Sequence, residues 1–410
     1  MSSQKKDLQL EKIKQLRKSG QYKQLLEISS FDQAEVGSKN CENLIGSVEV
    51  PVGLAGPVRA RLVGQEFREQ HQKQEVEFFL PLATTEGALV ASVNRGCKAI
   101  NHGQEAMVFV ERVGMTRAPV FELEDGRAAQ EFSAWIKQNF REIKQLCQQT
   151  SNHLKLVSHQ TWIRGRLVFV RFVFDTDQAM GMNMVTIALK HAWQQKISQF
   201  EQVRLVSISG NLCADKKPAL VNKLLGRGWS VQAEVKLSEK VVKSILKTTP
   251  LDLIKAHQVK NLIGSNLAGS FSQNMHVANM VAALFLATGQ DMAHIVEASQ
   301  ADLTVEWLKF KTGQPIQATF QKEKKQTKTE KNINNDLYIS LNLPNLNLGV
   351  VGGGTGLPAF SQARNLISGQ EITSSQLAAA VGLAALAGEI SGLAALSSQQ
   401  LASAHQQLAR

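Results

Sequence analysis

The run LAAAVGLAALAGEISGLAAL, from Leu377 to Leu396, constrains the fold more than any other stretch of this chain. It is long enough to cross a bilayer, but alanine and glycine dominate it and an acid, Glu389, sits inside it. The pattern predicts a buried helix packed closely on all sides, with no membrane. Such a helix needs a large core, and 410 residues suffice for two or three domains and at least one sizeable core.

The formal charge of +11 favours anionic partners: nucleic acid, phosphate-rich cofactors or a membrane surface. Part of the excess is local, because QKEKKQTKTEKN (321–332) holds five lysines against two glutamates. No aromatic residues interleave there, so the run reads as a solvated loop and gives little support to nucleic-acid stacking. Cys41, Cys97, Cys147 and Cys213 are widely spaced with no CxxC pair, as in the reduced thiols of a cytosolic protein. The charged N-terminus has no apolar core and is no signal peptide. Residues 1–40 read as short polar helices.

Helical and strand periodicities alternate between Pro119 and about Val206. AAQEFSAWIKQNFREIKQLCQQT is helical, GRLVFVRFVFDTD a strand, MGMNMVTIALKHAWQQKI helical and VRLVSISGN a strand entering a loop. That alternation predicts a small inserted α+β domain. Around it, the residues 274–299 predict longer helices, and Gly46, Pro51, Gly53, Gly56 and Pro57 break the early part into short β-prone pieces.

Four stretches carry chemistry. In PLATTEGALVASVNRG, Glu86 reads most simply as a first-turn acid behind a capping threonine, favoured by the helix dipole. In SGNLCADKKPALVN, the lysine pair precedes Pro218 on a constrained loop, where an ammonium can face a developing oxyanion. QAMGMNMV places a glycine between methionines at a helix start, which suits core packing or backbone amides meeting phosphate. VVGGGTGLPA contains G-x-G-x-x-A, but Pro358 stands where a phosphate-facing helix should begin, so a glycine-rich turn allowing close approach is the better reading. His276 and Asp291 do not form a metal pattern, and no metal is expected.

Together these residues resemble the 3-hydroxy-3-methylglutaryl-CoA (HMG-CoA) reductase family. ENLIGSVEVPVGLAGP, PLATTEGALVASVNRG, GMTRAPV, QAMGMNMV, SGNLCADKKPA, VKNLIGSNLAGS, ATGQD, VVGGGTGLP and the final helix ending in SAH occur in family order over residues 40–405. ATTEG followed by ASVNRG is similar to the eukaryotic and archaeal branch. The resemblance implies an α+β fold: a helical segment (1–40), a large, mainly helical HMG-CoA-binding and dimerisation domain (41–118 and 208–410), and a small, ferredoxin-like NAD(P)H-binding domain (119–207). It implies a cytoplasmic homodimer or tetramer with active sites between subunits, reducing HMG-CoA to mevalonate and CoA with two NADPH or NADH.

Carried over residue by residue, the resemblance makes Glu86 a proton donor, Lys216 the oxyanion-stabilising cation, Asp291 the link between them, and His405 the acid for the CoA thiolate. Arg117, Ser209, Asp215, Lys260 and Asn279 would grip the acyl group. Gly181, Met182, Asn183, Val351, Gly352 and Gly353 would meet the cofactor, as would Ser151 and Asn152. A protonated Glu86 requires burial or a neighbouring like charge, so it should lie beside Asp291 and Lys216, shielded from water. Two departures matter. Gln178 replaces an acid of the family loop, and Asn152 replaces an arginine of NADPH-preferring animal members. An uncharged amide cannot pair with a 2′-phosphate as a guanidinium does, which leaves room for NADH. The rival readings are the same enzyme running from mevalonate to HMG-CoA, and a basic nucleic-acid-binding or scaffold protein.

Overall fold

In the computed structural model, strand β3 (Gln104–Arg117) runs through two hydrophobic cores. The structure describes residues 40, 48–64, 74–308 and 335–398. The segment 1–39, the basic run 321–332 and His405 lie outside the described residues.

Around the larger core the strands are β1 (Val52–Val63), β2 (Gln74–Ala83), β3, β8 (Gly228–Leu237), β9 (Asp302–Trp307) and β10 (Leu337–Leu346). Their order is β2-β1-β3-β8-β10-β9, antiparallel throughout except where β1 meets β3 in parallel. The large domain, expected to be mainly helical, packs its helices on this six-stranded sheet. The strand signal was weak for physical reasons. A bulge and a Gly-Pro pair interrupt β1.

Helices cover this sheet: α1 (Leu89–Asn101), α7 (Val277–Thr288), α9 (Pro358–Ser368) and α10 (Ser374–Ser397). The intervening helices are α2 (Gly126–Gln138), α3 (Phe140–Gln148), α4 (Met182–Gln195), α5 (Leu220–Leu225), α6 (Pro250–Ala256) and α8 (Ile295–Ala298). Helix α10 contains the Ala/Gly run and is buried over nearly its whole length against α1, α7 and β8. Among the described residues it is the one helix long and apolar enough to cross a membrane, and it is enclosed by protein.

Small residues let its neighbours approach to backbone distance. A Cβ on Gly96 of α1 would lie 1.9 Å from the Ala387 carbonyl oxygen, and one on Gly388 would lie 2.3 Å from Met280 Sδ. Glu389, fully buried, accepts hydrogen bonds from the backbone N–H groups of Met275 and His276, each at 2.7 Å, and lies 3.1 Å from His276 Nδ1. The acid inside the apolar helix therefore caps the N-terminus of α7, satisfying donors that the helix leaves free.

Around the second core the order is β4 (Val120–Glu122), α2, α3, β5 (Lys155–Arg164), β6 (Leu167–Asp175), α4 and β7 (Arg204–Ser207). The strands align as β7-β4-β6-β5, and the C-terminal residues of β3, Met115–Arg117, pair with β6. Phe132, Ile136, Ile143, Leu189 and Ala192 close the core from the helices.

Close packing at α10 predicts a graded response to a single methyl group. Gly96→Ala should lower stability by about 1–3 kcal/mol in thermal unfolding, because the obstructing atom is backbone. Gly356→Ala, where an added Cβ meets nothing within 4 Å, should change it little.

Candidate active site

Helix α7 ends at Gly289, whose φ of 73° terminates the helix in the left-handed region. Gln290 then accepts a hydrogen bond from the Gly349 N–H (3.0 Å), tying this turn to the glycine-rich loop. Asp291 caps the following 3₁₀ turn: one oxygen accepts from Ala293 N–H (3.0 Å) and the other from Lys216 Nζ (2.8 Å). In ATGQD the glycine thus ends the helix, the glutamine ties the turn to the glycine-rich loop and the aspartate faces the lysine.

Lys216 sits on the loop between β7 and α5 with φ of 58°, a left-handed conformation unfavourable for a residue with a Cβ. Its backbone N–H donates to Glu297 Oε1 (3.1 Å), which holds that conformation. Glu297 and Arg227 are both fully buried and pair at 2.6 Å. Arg227 also donates to Asp215 Oδ1 (3.0 Å), Thr116 Oγ1 (3.1 Å) and Met182 Sδ (2.8 Å). Asp215 faces Arg117 at 3.7 Å. Asp215, Glu297 and His294 offer oxygens and a ring nitrogen within 4.8 Å of one another, and Arg227 donates to both carboxylates of that group.

These groups border a cavity of about 700 Å³ whose walls include Arg117, Asp215, Lys216 and Asp291. Gly181, Met182 and Asn183 line it from the start of α4, and Val351, Gly352 and Gly353 line it from the loop before α9. The two loops are joined by the hydrogen bond from Val350 N–H to Gln178 O (2.8 Å) and a bridge between Ala179 and Val351. Gly181, at φ 87°, starts α4 with no side-chain cap and no acid in the first turn. Free N–H groups at the head of a 14-residue helix suit an anion. An added Cβ on Gly352 or Gly353 would meet no atom within 4 Å, so this strip is an open cradle and not a packed turn. Both features fit the phosphates of a dinucleotide.

Ser151 and Asn152 occupy the turn between α3 and β5. They do not line the cavity, but the next residue, His153, pairs with Asp177 (2.8 Å) on the segment leading to Gly181. Ser209 faces Cys213 Sγ at 3.5 Å within the Lys216 loop. Gln178 turns its side chain to the start of α10, accepting from Ser374 N–H at 2.8 Å. Lys260 is exposed on the π-helical turn His257–Gly264 and is not part of the cavity wall.

Glu86 departs from expectation. Within one chain it is exposed, accepts from Asn279 Nδ2 (2.9 Å), and its N–H donates to Thr84 Oγ1 (3.0 Å). It is not beside Asp291 or Lys216. Asn279 lies in the first turn of α7 and Asp291 beyond its last, a separation of about 14 Å along the axis to Thr288 alone. The first-turn reading also fails: α1 starts at Leu89, after Ala88 in the left-handed region, and has no acid in its first turn. Sequence reasoning missed Arg227, His294 and Glu297. The only sequence signal was the His-x-x-Glu spacing of 294 and 297, which puts two side chains on one helix face.

The chain matches the family model described as hydroxymethylglutaryl-coenzyme A reductase over residues 5–410. It is 41% identical over 386 residues to the 3-hydroxy-3-methylglutaryl-coenzyme A reductase of Haloferax volcanii, covering 92% of this chain and 86% of that one. It is 40% identical to that of Methanothermobacter thermautotrophicus (93% and 88% covered) and to reductase 1 of Dictyostelium discoideum (93% and 64%). The fold is similar to the class II HMG-CoA reductase from Streptococcus pneumoniae bound to NADPH, with a TM-score of 0.68, 18% identity and 97% of each chain covered.

Burial works to raise the Asp291 pKa, but hydrogen bonds from Lys216 and Ala293 and the charges of His294 and Lys216 outweigh it and hold it below 3.8. The depressed value means that the carboxylate stabilises the fold above the ordinary aspartate range and loses that contribution as pH falls through the lower, folded-state value. A carboxyl-carbon NMR titration should place the Asp291 midpoint below 3.8. Lys216→Met should raise that midpoint, and an unchanged value would show that Lys216 is not the partner in solution.

Proposed function

The chain belongs to the hydroxymethylglutaryl-coenzyme A reductase family, and from that premise we propose how its residues reduce HMG-CoA to mevalonate and CoA with two reduced nicotinamide cofactors. The observation that carries the proposal is the Lys216–Asp291 pair on the wall of a cavity shared with both glycine loops.

When bound, the reduced nicotinamide supplies hydride. Negative charge then grows on the substrate's carbonyl oxygen, and Lys216, held by Asp291 and by the strained loop, stabilises it. Arg117, Ser209 and Asp215 hold the acyl group from this side. The head of α4 and the Gly352–Gly353 strip would hold the cofactor's phosphates. The order of 119–207, β-α-β-β-α-β with the consecutive helices α2 and α3 in the first helix position, supports a ferredoxin-like cofactor domain inserted into a large domain of 41–118 and 208–410.

Glu86, Lys260 and Asn279 belong to a second half-site, which the proposal assigns to a neighbouring copy. Glu86 is the proton donor, and the neighbour supplies the shielding from water that it lacks in one chain. His405 protonates the departing CoA thiolate. Exposed apolar side chains support oligomerisation: Leu220, Leu224, Met292 and Val296 near the Lys216 loop, and Leu251, Val259, Ile263 and Leu267 around Lys260. A homo-oligomer in the cytoplasm is the setting of this proposal.

Lys216→Ala should abolish turnover while leaving thermal unfolding unchanged, and Glu86→Gln should do the same. Co-refolding the two inactive variants should restore activity toward about a quarter of the wild-type value, since half of randomly assembled dimers carry one intact site. No recovery would place both groups in a site built by one chain. Cofactor choice has its own test. Asn152 is uncharged and the nearby His153 is engaged by Asp177, so NADPH and NADH should both be used, and Asn152→Arg should shift the kcat/KM ratio toward NADPH by about tenfold or more. An unchanged ratio would remove position 152 from the cofactor site.

A further inference from the structure

We propose that His294 is a positioning residue of this site: a buried imidazolium that steadies the Asp291 carboxylate against Lys216 while anchoring to Glu297. The ring has no solvent exposure. Its Nδ1 lies 2.6 Å from Glu297 Oε1, the oxygen that also accepts from Arg227 Nη1 (2.6 Å) and from the Lys216 backbone N–H (3.1 Å). Its Nε2 is buried with no hydrogen-bond partner, 3.6 Å from Asp291 Oδ2 and 4.0 Å from Asp215 Oδ1.

Only one protonation state satisfies this geometry. A neutral ring protonated at Nδ1 would aim a bare lone pair at two carboxylates. A neutral ring protonated at Nε2 would set its other lone pair against Glu297 at 2.6 Å. The doubly protonated ring gives Glu297 a charge-assisted bond and points its second N–H toward Asp291 and Asp215. The charged groups facing it are Glu297 and Asp291 from its own segment, Asp215 and Lys216 from the β7–α5 loop, and Arg227 from the approach to β8. Arg117, on β3, reaches Asp215. Glu297, Asp291 and Asp215 present oxygens 2.6, 3.6 and 4.0 Å from the ring nitrogens, and Arg227 and Lys216 are directed at those same carboxylates. Glu297 holds the Lys216 backbone and His294 holds the partner of its side chain, so one buried pair sets both ends of the oxyanion-stabilising lysine.

The catalytic consequence rests on the functional reading above, but the protonation state can be read from the protein alone. Nitrogen NMR of histidine rings in the full-length chain at pH 7.5, with the His294 signal assigned by its loss in His294→Gln, should show both ring nitrogens protonated. A neutral tautomer would overturn the proposal. If the variant does not fold, His294 is assigned by through-bond correlation to its backbone, and the same result decides. In folded His294→Gln the Asp291 midpoint should rise, and the acidic limb of kcat should move with it while KM for HMG-CoA stays within about twofold. An unmoved midpoint would reduce His294 to packing. A doubly protonated ring in a chain without reductase activity would refute the functional reading and leave the ring's state established.

Discussion

The Arg227–Glu297 ion pair is the interaction on which the site depends. Neither side chain is exposed, and such a pair offsets its desolvation only when hydrogen bonds use its remaining donors and acceptors. Here they do. Arg227 reaches Thr116 of β3, Met182 at the head of α4 and Asp215; Glu297 receives Asn222, His294 and the backbone of Lys216. The end of β3, the head of α4, the lysine loop and α8 are thereby fixed to one another. Removing one partner of a buried pair costs about 3–5 kcal/mol in general, because the other charge is left uncompensated. In this fold the same loss would release the strained backbone of Lys216 and loosen the head of α4 from the Lys216 loop.

Helix α7 works as a spacer. Its N-terminus is held by Glu389 and presents Asn279 to Glu86, while its C-terminus opens through Gly289 into the turn that carries Asp291. A rigid helix keeps these ends apart, so within a single chain Glu86 and the Lys216–Asp291 pair do not meet. Burial of α10 explains why the spacer stays in place: its backbone meets that of α1 at Gly96, Gly388 seats the Met280 side chain of α7, and its one acid caps α7.

The sequence made several of these features legible and hid others. The Ala/Gly run announced a buried helix because its composition admits few other outcomes, and Glu389 was visible as an anomaly whose purpose only the fold reveals. The strand-helix-strand alternation of 119–207 showed in its periodicity. The six-stranded sheet did not, because β1 is broken by Gly56 and Pro57 and the strands that pair are scattered along the chain between Val52 and Leu346. Glycine and lysine motifs located the cavity wall, but Arg227 lies far along the chain from His294 and Glu297, and only the His-x-x-Glu spacing of the latter two left a trace in the sequence. Glu86 was read as part of a cluster with Asp291, and the fold places it at the other end of α7. A sequence pattern cannot distinguish residues that meet within one chain from residues that meet only between copies.

The most direct measurement is an experimental structure of the assembled oligomer with HMG-CoA bound. The account predicts the Glu86 carboxyl of one copy within hydrogen-bond reach of Lys216 of another, about 2.6–3.2 Å or through one water, with the thioester carbonyl beside both. Glu86 left in solvent in the assembled, substrate-bound protein, or meeting Lys216 of its own chain, would contradict it.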